Sequence, residues 1–338
     1  MQPIDTVFPR TRSRRLRQNR QIRDLVAENS LSISDLIWPL FVCEGKNIKE
    51  KIPSMEGVYR YSIDNLIKEA KYAVSLGINC LALFPCVNPK LRTAECEESY
   101  NPNNLINTAT KKVKDACPEI LIMLDVALDP YNISGHDGLF KNNEILNDET
   151  IELLRLQALV QAKSGADILG PSDMMDGRIK SIRSALESEG LHNKLIMSYS
   201  AKYASTFYGP FRNALGGELT VDRGKKSYQM NPSNTNEALR NIARDINEGS
   251  DMIIIKPGGY YLDICFRAKE AFGIPTFAYQ VSGEYSMIKD SISKGWLSKD
   301  EAIIESLTCF KRAGCDGILT YFAPLAAEAL LKLSLIHI

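Results

Sequence analysis

The chain has 338 residues, of which 44% are apolar and 24% charged, with 41 basic and 41 acidic side chains. These values are typical of a globular protein with one large core, and they exclude disordered, collagen-like and coiled-coil chains. The zero net charge argues against a protein that binds nucleic acid or a membrane surface. No apolar run reaches about 18 residues, so no transmembrane helix is predicted, and the first residues lack the apolar segment of a secretion signal.

The eight cysteines are scattered along the chain, and none forms a Cys-x-x-Cys pair. This spacing favours reduced thiols in a cytoplasmic protein over a disulfide framework, and it argues against a structural zinc site.

Residues 1–34 are predicted to form an arm that makes oligomer contacts. This segment is rich in arginine, and a nucleic-acid-binding arm and a transit peptide are the alternatives. Ile22, Leu25 and Val26 follow helical spacing, so a short amphipathic helix is expected there.

A unit of helix, Gly-x-Asx turn and short apolar run recurs after the arm, for example at Gly165-Ala166-Asp167 and Gly314-Cys315-Asp316. Runs that are apolar on both faces are typical of a parallel sheet covered by helices. Eight such runs predict a (β/α)8 barrel over residues 35–332. The apolar runs are Trp38–Cys43, Cys80–Phe84, Ile120–Val126, Asp167–Leu169, Lys194–Ser198, Met252–Ile255, Pro275–Tyr279 and Gly317–Tyr321.

An open doubly wound sheet is the main alternative fold. It normally carries a glycine-rich phosphate loop after its first strand, and the sequence Glu44-Gly45-Lys46 does not provide one. The long stretch 203–232 is predicted to be a strand–helix loop that acts as a lid.

Two lysines, Lys202 and Lys256, follow adjacent predicted strands, at the end of a barrel where chemistry is found. Burial and a second ammonium nearby both lower the pKa of a lysine, so we expect two neutral amines. A neutral amine attacks a ketone to form a Schiff base. A salt bridge or a phosphate contact is the alternative for each lysine.

Other polar residues cluster at the same strand ends. Asp125, Asp129 and Asp137 are candidates for a hard-cation site, for acid–base groups or for helix caps, and Asp173 is expected to support the lysines electrostatically. His136 is interpreted as structural. Arg212 and Lys225 in the predicted lid are candidates for binding a substrate carboxylate, with solvated loop charge as the alternative.

Several long motifs resemble those of the porphobilinogen synthase family, also called delta-aminolevulinic acid dehydratase. They are Pro171-Ser-Asp-Met-Met-Asp-Gly-Arg178, Ser205-Thr-Phe-Tyr-Gly-Pro-Phe-Arg212, Lys256-Pro-Gly, Tyr279-Gln-Val-Ser-Gly-Glu-Tyr285 and Gly317-Ile-Leu-Thr-Tyr-Phe322. The resemblance covers about residues 7 to 330. It implies a lyase of heme biosynthesis that condenses two 5-aminolevulinate molecules into porphobilinogen, with loss of water.

The resemblance also implies roles for individual residues. Lys256 corresponds to the Schiff-base lysine of the propionate side and Lys202 to that of the acetate side. The acetate-side carboxylate is then held by Arg212, Lys225 and Gln229, and the propionate-side carboxylate by Ser282 and Tyr321. Five further residues are predicted to support the catalytic lysines: Asp125, Ser172, Asp173, Tyr279 and Phe211.

Metal use is expected to differ from that of the zinc-dependent relatives. Those relatives have three cysteines where this chain has Ala127, Asp129 and Asp137, so no zinc is expected at the active site. Asp129 and Asp137 would suit Mg²⁺ or a monovalent cation, if any metal binds. Some relatives hold an activating magnesium ion through a carboxylate, and this chain has Asn241 at the corresponding position. No organic cofactor is predicted.

The resemblance further implies a homo-octamer in which the arm of one subunit embraces its neighbour. Two alternative functions stay open at this point. One is another class I Schiff-base aldolase on the same barrel, and the other is a non-catalytic barrel that serves as a binding module.

Overall fold

Eight parallel strands close into a barrel in the computed structural model, which describes residues 7–214 and 225–335. The barrel closes where β12 pairs with β1, with Leu36 opposite Ile318. Two short strands, β2 and β3, extend the sheet beyond β1, and β6 and β7 form a separate hairpin. The strands are β1 (Leu36–Val42), β2 (Lys49–Lys51), β3 (Tyr59–Tyr61), β4 (Cys80–Pro85), β5 (Leu121–Val126), β6 (Phe140–Lys141), β7 (Glu144–Ile145), β8 (Ile168–Pro171), β9 (Leu195–Lys202), β10 (Met252–Lys256), β11 (Thr276–Gln280) and β12 (Gly317–Thr320).

The described part of the chain has eleven α-helices, most of which cover the outside of the barrel and alternate with its strands. They are α1 (Arg20–Leu25), α2 (Ile63–Ser75), α3 (Leu105–Ala116), α4 (Asn147–Lys163), α5 (Arg178–Ser188), α6 (Gly209–Ala214), α7 (Asn236–Asn247), α8 (Leu262–Phe272), α9 (Ser282–Ser293), α10 (Lys299–Arg312) and α11 (Ala323–Leu335). The predicted (β/α)8 fold is confirmed, and the open sheet is excluded by the pairing of β12 with β1.

Each of the eight predicted apolar runs overlaps a barrel strand, because residues buried on both faces suit a parallel sheet. The largest difference concerns β9, which was expected to end at Ser198 but continues to Lys202. Its last residues keep pairing with β10, where Ala201 lies opposite Ile255. The extension does not form an apolar run, because it contains Ser200 and Lys202.

The repeated Gly-x-Asp turns perform the same structural task three times. In each, the aspartate carboxylate accepts the backbone N–H of a residue in the preceding barrel strand. It also pairs with a basic side chain of the helix that comes before that strand. The contacts are Asp167 with Ile122 N (2.8 Å) and Lys114 Nζ (3.1 Å), Asp251 with Ile196 N (2.7 Å) and Arg183 Nη2 (2.5 Å), and Asp316 with Thr276 N (2.7 Å) and Lys269 Nζ (2.7 Å). These aspartates join neighbouring strands at the end of the barrel where the strands begin.

Replacing Asp167 with alanine should destabilise the fold without changing catalysis. The buried N–H of Ile122 would lose its acceptor, which costs about 1–3 kcal/mol. Urea unfolding should show this loss, while the specific activity of the folded variant should stay within about twofold of the parent, because Asp167 lies at the far end of the strands from the strand-end lysines. A large loss of activity at unchanged stability would contradict this interpretation.

The arm and the lid are described only in part. Among residues 7–30 none is buried, and α1 confirms the short helix expected near Ile22. The described part of the predicted lid includes α6, whose backbone contacts the barrel rim through Ser54 Oγ to Pro210 O (3.0 Å) and Arg60 Nε to Ala214 O (2.7 Å). The arm and lid boundaries stay predictions.

None of the helices in the described part of the chain has the length and apolar character needed to cross a membrane.

Candidate active site

Lys202 and Lys256 are the last residues of the neighbouring strands β9 and β10, and they are register partners. Their relative exposures are only 6% and 8%. Adjacent strands lie about 4.8 Å apart, so the two side chains leave the sheet side by side. The predicted lysine pair therefore lies at the carboxyl end of the barrel, where enzymes of this fold carry their chemistry.

Lys256 is surrounded by aromatic rings. Its Nζ atom lies between 4.8 and 5.4 Å from the ring centroids of Tyr199, Tyr208, Phe211 and Tyr279. Within the described residues, no hydrogen bond or ion pair reaches this nitrogen. Burial, aided by the charge of Lys202, lowers the pKa of Lys256 to about 8. Lys256 therefore has the depressed pKa that the sequence predicted.

Lys202 has the opposite environment. Its Nζ atom donates to Asp137 Oδ2 at 3.1 Å and to the backbone carbonyl of Ser172. Burial by itself would lower its pKa, but the charges of Asp137 and Asp129 outweigh burial and raise the pKa. The expectation of two neutral amines is therefore wrong for Lys202, because the sequence could not show that Asp137 reaches it.

Asp137 is the carboxylate that the basic side chains of the site contact. Lys225 Nζ lies 3.1 Å from its Oδ1 atom, and Gln229 Nε2 lies 3.3 Å from its Oδ2 atom. Burial raises the pKa of this carboxyl, but the ammonium groups of Lys202 and Lys225 outweigh burial and lower it. Two of the predicted carboxylate anchors, Lys225 and Gln229, thus converge on a carboxylate of the chain itself.

Three further carboxyl groups lie beside this cluster. Burial, followed by the charge of Asp137, raises the pKa of Asp129 to about 7. Burial also raises the pKa of Asp125, whose Oδ1 atom has no hydrogen-bond partner among the described residues. Burial raises the pKa of Asp173 to about 6, although Arg178 Nε lies 3.4 Å away and opposes this rise. The predicted acidic cluster is therefore assembled around Lys202.

The predicted propionate-side residues lie on the aromatic side of the site. The Tyr321 and Tyr279 hydroxyls are 3.0 Å apart. Ser282, the first residue of α9, accepts the backbone N–H of Phe211 at 3.0 Å and donates to the Phe207 carbonyl at 3.3 Å. Ser282 therefore holds the first part of the lid against the barrel.

Arg212 was also predicted to hold a carboxylate, but its side chain lies outside the described residues. The backbone of α6 around it is described, and its neighbour Phe211 packs 5.6 Å from Phe41 between ring centroids. The role of Arg212 stays a prediction.

Tyr199 is a site residue that sequence reasoning missed. Strict alternation along β9 would place Tyr199 and Lys202 on opposite faces. A bulge between the pairs Ser198–Ile253 and Ala201–Ile255 leaves two residues of β9, Tyr199 and Ser200, opposite one residue of β10. The side chains of Tyr199 and Lys202 therefore both face the interior. The buried Tyr199 hydroxyl has no hydrogen-bond partner among the described residues. No pattern in the sequence marks this bulge.

Comparisons with known proteins agree with this geometry. The family model described as delta-aminolevulinic acid dehydratase matches residues 10–329. The chain belongs to the delta-aminolevulinic acid dehydratase family. This membership makes it an enzyme of the lyase class and excludes the alternative of a non-catalytic barrel.

Two dehydratases of this family illustrate how far the similarity extends. The chain is 54% identical to the delta-aminolevulinic acid dehydratase of Bradyrhizobium diazoefficiens over 319 residues, which cover 94% of this chain and 90% of the relative. It is 51% identical to that of Rhodobacter capsulatus over 325 residues, which cover 96% and 98%.

A solved member of the delta-aminolevulinic acid dehydratase family has the same fold. The crystal structure of the Toxoplasma gondii enzyme, in complex with its reaction product porphobilinogen, matches with a TM-score of 0.93 and 45% identity. The match covers 95% of this chain and 92% of that chain.

Proposed function

We propose that this site condenses two 5-aminolevulinate molecules into porphobilinogen, with loss of water, and that Lys202 and Lys256 each form a Schiff base with one of them. Membership of the dehydratase family supports the overall reaction. The observation that carries the proposed chemistry is the register pairing of two buried lysines at the ends of β9 and β10. Two ketones held side by side gain the orientation that a reaction between free molecules lacks.

Lys256 forms the first imine in this proposal. Its pKa of about 8 leaves about one tenth of the amine neutral at pH 7. The neutral nitrogen attacks the ketone carbon, and the carbonyl oxygen leaves as water. The rings around Lys256 exclude bulk water from the bond that forms.

Lys202 reacts second, because its ammonium must first lose a proton. The hydrogen bond to Asp137 stabilises the charged form and opposes that loss. Asp129, with a pKa of about 7, is the neighbouring carboxyl best matched to accept a proton near neutral pH. The difference between the two lysines supports a fixed order of imine formation.

The two substrate carboxylates are assigned to opposite sides of the site. Lys225 and Gln229, together with Arg212, hold the acetate-side carboxylate, which competes with Asp137 for the same cationic groups. Ser282 and Tyr321 hold the propionate-side carboxylate. In this assignment Ser282 redirects its hydroxyl from the Phe207 carbonyl to the substrate.

The rate of imine formation at Lys256 should rise with pH, with a midpoint near the pKa of about 8. The sign follows because the neutral amine is the nucleophile, and its fraction grows as pH rises through the pKa. The protein is incubated with 5-aminolevulinate at pH values below and above this pKa. Borohydride trapping and peptide mapping then measure the imine, and a colour test for a pyrrole measures the product.

Two outcomes of that experiment would contradict parts of the proposed function. Trapped Lys256 without any pyrrole would favour another class I Schiff-base aldolase instead. A trapping rate independent of pH would contradict the assigned role of Lys256 as the nucleophile.

Any metal at this site is proposed to be a hard cation and not zinc. The three positions at which zinc-dependent relatives have cysteines hold Ala127, Asp129 and Asp137, and Asp137 is already paired with two lysines. The residues present therefore do not fit a tetrahedral zinc site. Asn241, at the expected magnesium position, lines a separate cavity of about 970 Å³ with Glu237 and Arg244. No step above depends on a metal.

The quaternary structure is proposed to be a homo-octamer held together by the arm. The exposure of residues 7–30 supports this, since an isolated arm has nothing to pack against. Deleting residues 1–30 should convert the octamer to smaller assemblies, and light scattering beside the full-length chain measures the change. An unchanged particle mass would contradict the proposal.

A cytoplasmic location is also proposed. All eight cysteines are free thiols in the structure. Reduced cysteines are typical of proteins kept in the reducing cytosol, which supports this location.

A further inference from the structure

Glu284 is a buried acid that the mechanism above does not use. It lies in the first turn of α9 and is only 4% exposed. Its Oε2 atom accepts the backbone N–H of Val281 at 2.7 Å, and its Oε1 atom accepts that of Gly259 at 2.8 Å. Burial raises its pKa to about 7, while these N–H groups and that of Tyr260 oppose the rise.

The groups that Glu284 binds belong to two functional segments. Gly259 is three residues after Lys256, in the turn that follows β10. Val281 immediately precedes Ser282, the assigned carboxylate anchor. One carboxylate therefore joins the segment that carries the nucleophilic lysine to the segment that carries the anchor for its substrate.

The Glu284 carboxylate lies directly against the backbone at Gly259. A Cβ atom at this position would lie 2.6 Å from Glu284 Oε1, which is closer than Cβ atoms pack in proteins. A side chain at this position would therefore displace the Glu284 carboxylate from the Gly259 N–H.

The same turn of α9 also holds the start of the lid. A Cβ atom at Gly283 would lie 2.6 Å from the Phe207 carbonyl oxygen. Ser282 accepts the N–H of Phe211 at 3.0 Å, and the Phe211 ring centroid lies 5.3 Å from Lys256 Nζ. The turn thus contacts the Lys256 environment from two sides, through the lid and through the β10 turn.

We propose that Glu284 is a positioning residue for Lys256, which sets the distance between that amine and the Ser282 anchor by binding the backbone of both segments. The inference rests on the proposed function, in which Lys256 forms the imine and Ser282 holds the carboxylate of the same keto acid. This role is specific to Lys256, because in the described chain the Lys202 side chain forms no hydrogen bond with Glu284, Gly259 or Val281.

Two variants of Glu284 test this role. Glu284→Ala removes both acceptor atoms, and kcat should fall by about 100-fold, the scale expected for a displacement of about 1 Å. Glu284→Gln keeps one amide oxygen as an acceptor and should recover part of this loss. Asn107→Ala is the matched control. Asn107 lies on α3, is also buried, and its side-chain amide donates to the Asn101 carbonyl at 3.0 Å. Its kcat should stay near that of the parent.

Site-resolved trapping separates positioning from general damage. With 5-aminolevulinate and borohydride, the label on Lys256 should fall by about tenfold in Glu284→Ala relative to the label on Lys202. Equal losses at both lysines, or an unchanged kcat in both variants, would overturn the proposal. If Glu284→Ala does not fold, the ratio of the two labels in Glu284→Gln decides. Absence of any imine in the parent protein would instead refute the proposed function.

Discussion

Replacing Lys256 with methionine is expected to reduce pyrrole formation by about 10⁴-fold or more, the scale of losing a nucleophile, without loss of stability. Lys256 is buried among four aromatic rings and has no hydrogen bond or ion pair in the described chain. Methionine has a similar length and no charge, so the substitution removes the cost of burying an unpaired ammonium. The free energy of unfolding should therefore stay the same or rise.

The colour test for the pyrrole and urea unfolding measure the two effects independently. Lys294→Met is the control for losing a lysine charge, because Lys294 lies at the surface, where it pairs with Asp290 and contacts the Trp296 ring. Its activity should match that of the parent. A Lys256→Met protein that keeps more than about one hundredth of the activity would show that the imine is not formed there.

Replacing Asp137 with asparagine is expected to produce the largest loss of stability in the site. Asp137 is buried, and its two oxygens neutralise Lys202 and Lys225. Loss of its charge leaves these ammonium groups without their partner, which costs about 3–5 kcal/mol. The pKa of Lys202 should fall at the same time, because the charge that raises it has been removed.

The effect of Asp137→Asn on stability should depend on pH with a definite sign. The folded protein holds the pKa of Asp137 below its ordinary value. Its stabilising contribution is therefore complete above the unfolded pKa of about 4 and is lost as pH falls further. The difference in unfolding free energy between parent and variant should shrink between about pH 5 and pH 2.

Asp176→Asn is the matched control for Asp137→Asn. Asp176 pairs with Arg244, but its side chain is 78% exposed. An exposed pair contributes less than about 1 kcal/mol. If the two variants lose equal stability, the buried cluster around Asp137 does not have the energetic role assigned to it.

The repeat of helix, Gly-x-Asx turn and apolar run predicted the barrel because these features are local. A strand buried on both faces must be apolar along its length, and a helix end favours glycine, so each unit is visible in the chain by itself. The positions of Lys202 and Lys256 at strand ends followed from this count. The turn aspartates were visible as well, but their bonds to the preceding strand were not.

The roles of the two lysines required the tertiary structure. Their residue type is identical, and burial lowers the pKa of both, yet Asp137 reaches Lys202 from a loop 65 residues earlier in the chain. The sequence also gave no sign of the bulge in β9 that turns Tyr199 toward Lys256. Local patterns of apolar residues and glycines therefore determined the fold and the candidate nucleophiles. Which amine has the lowered pKa was decided only by contacts between distant segments, because electrostatic energy depends on distance in space and not on separation along the chain.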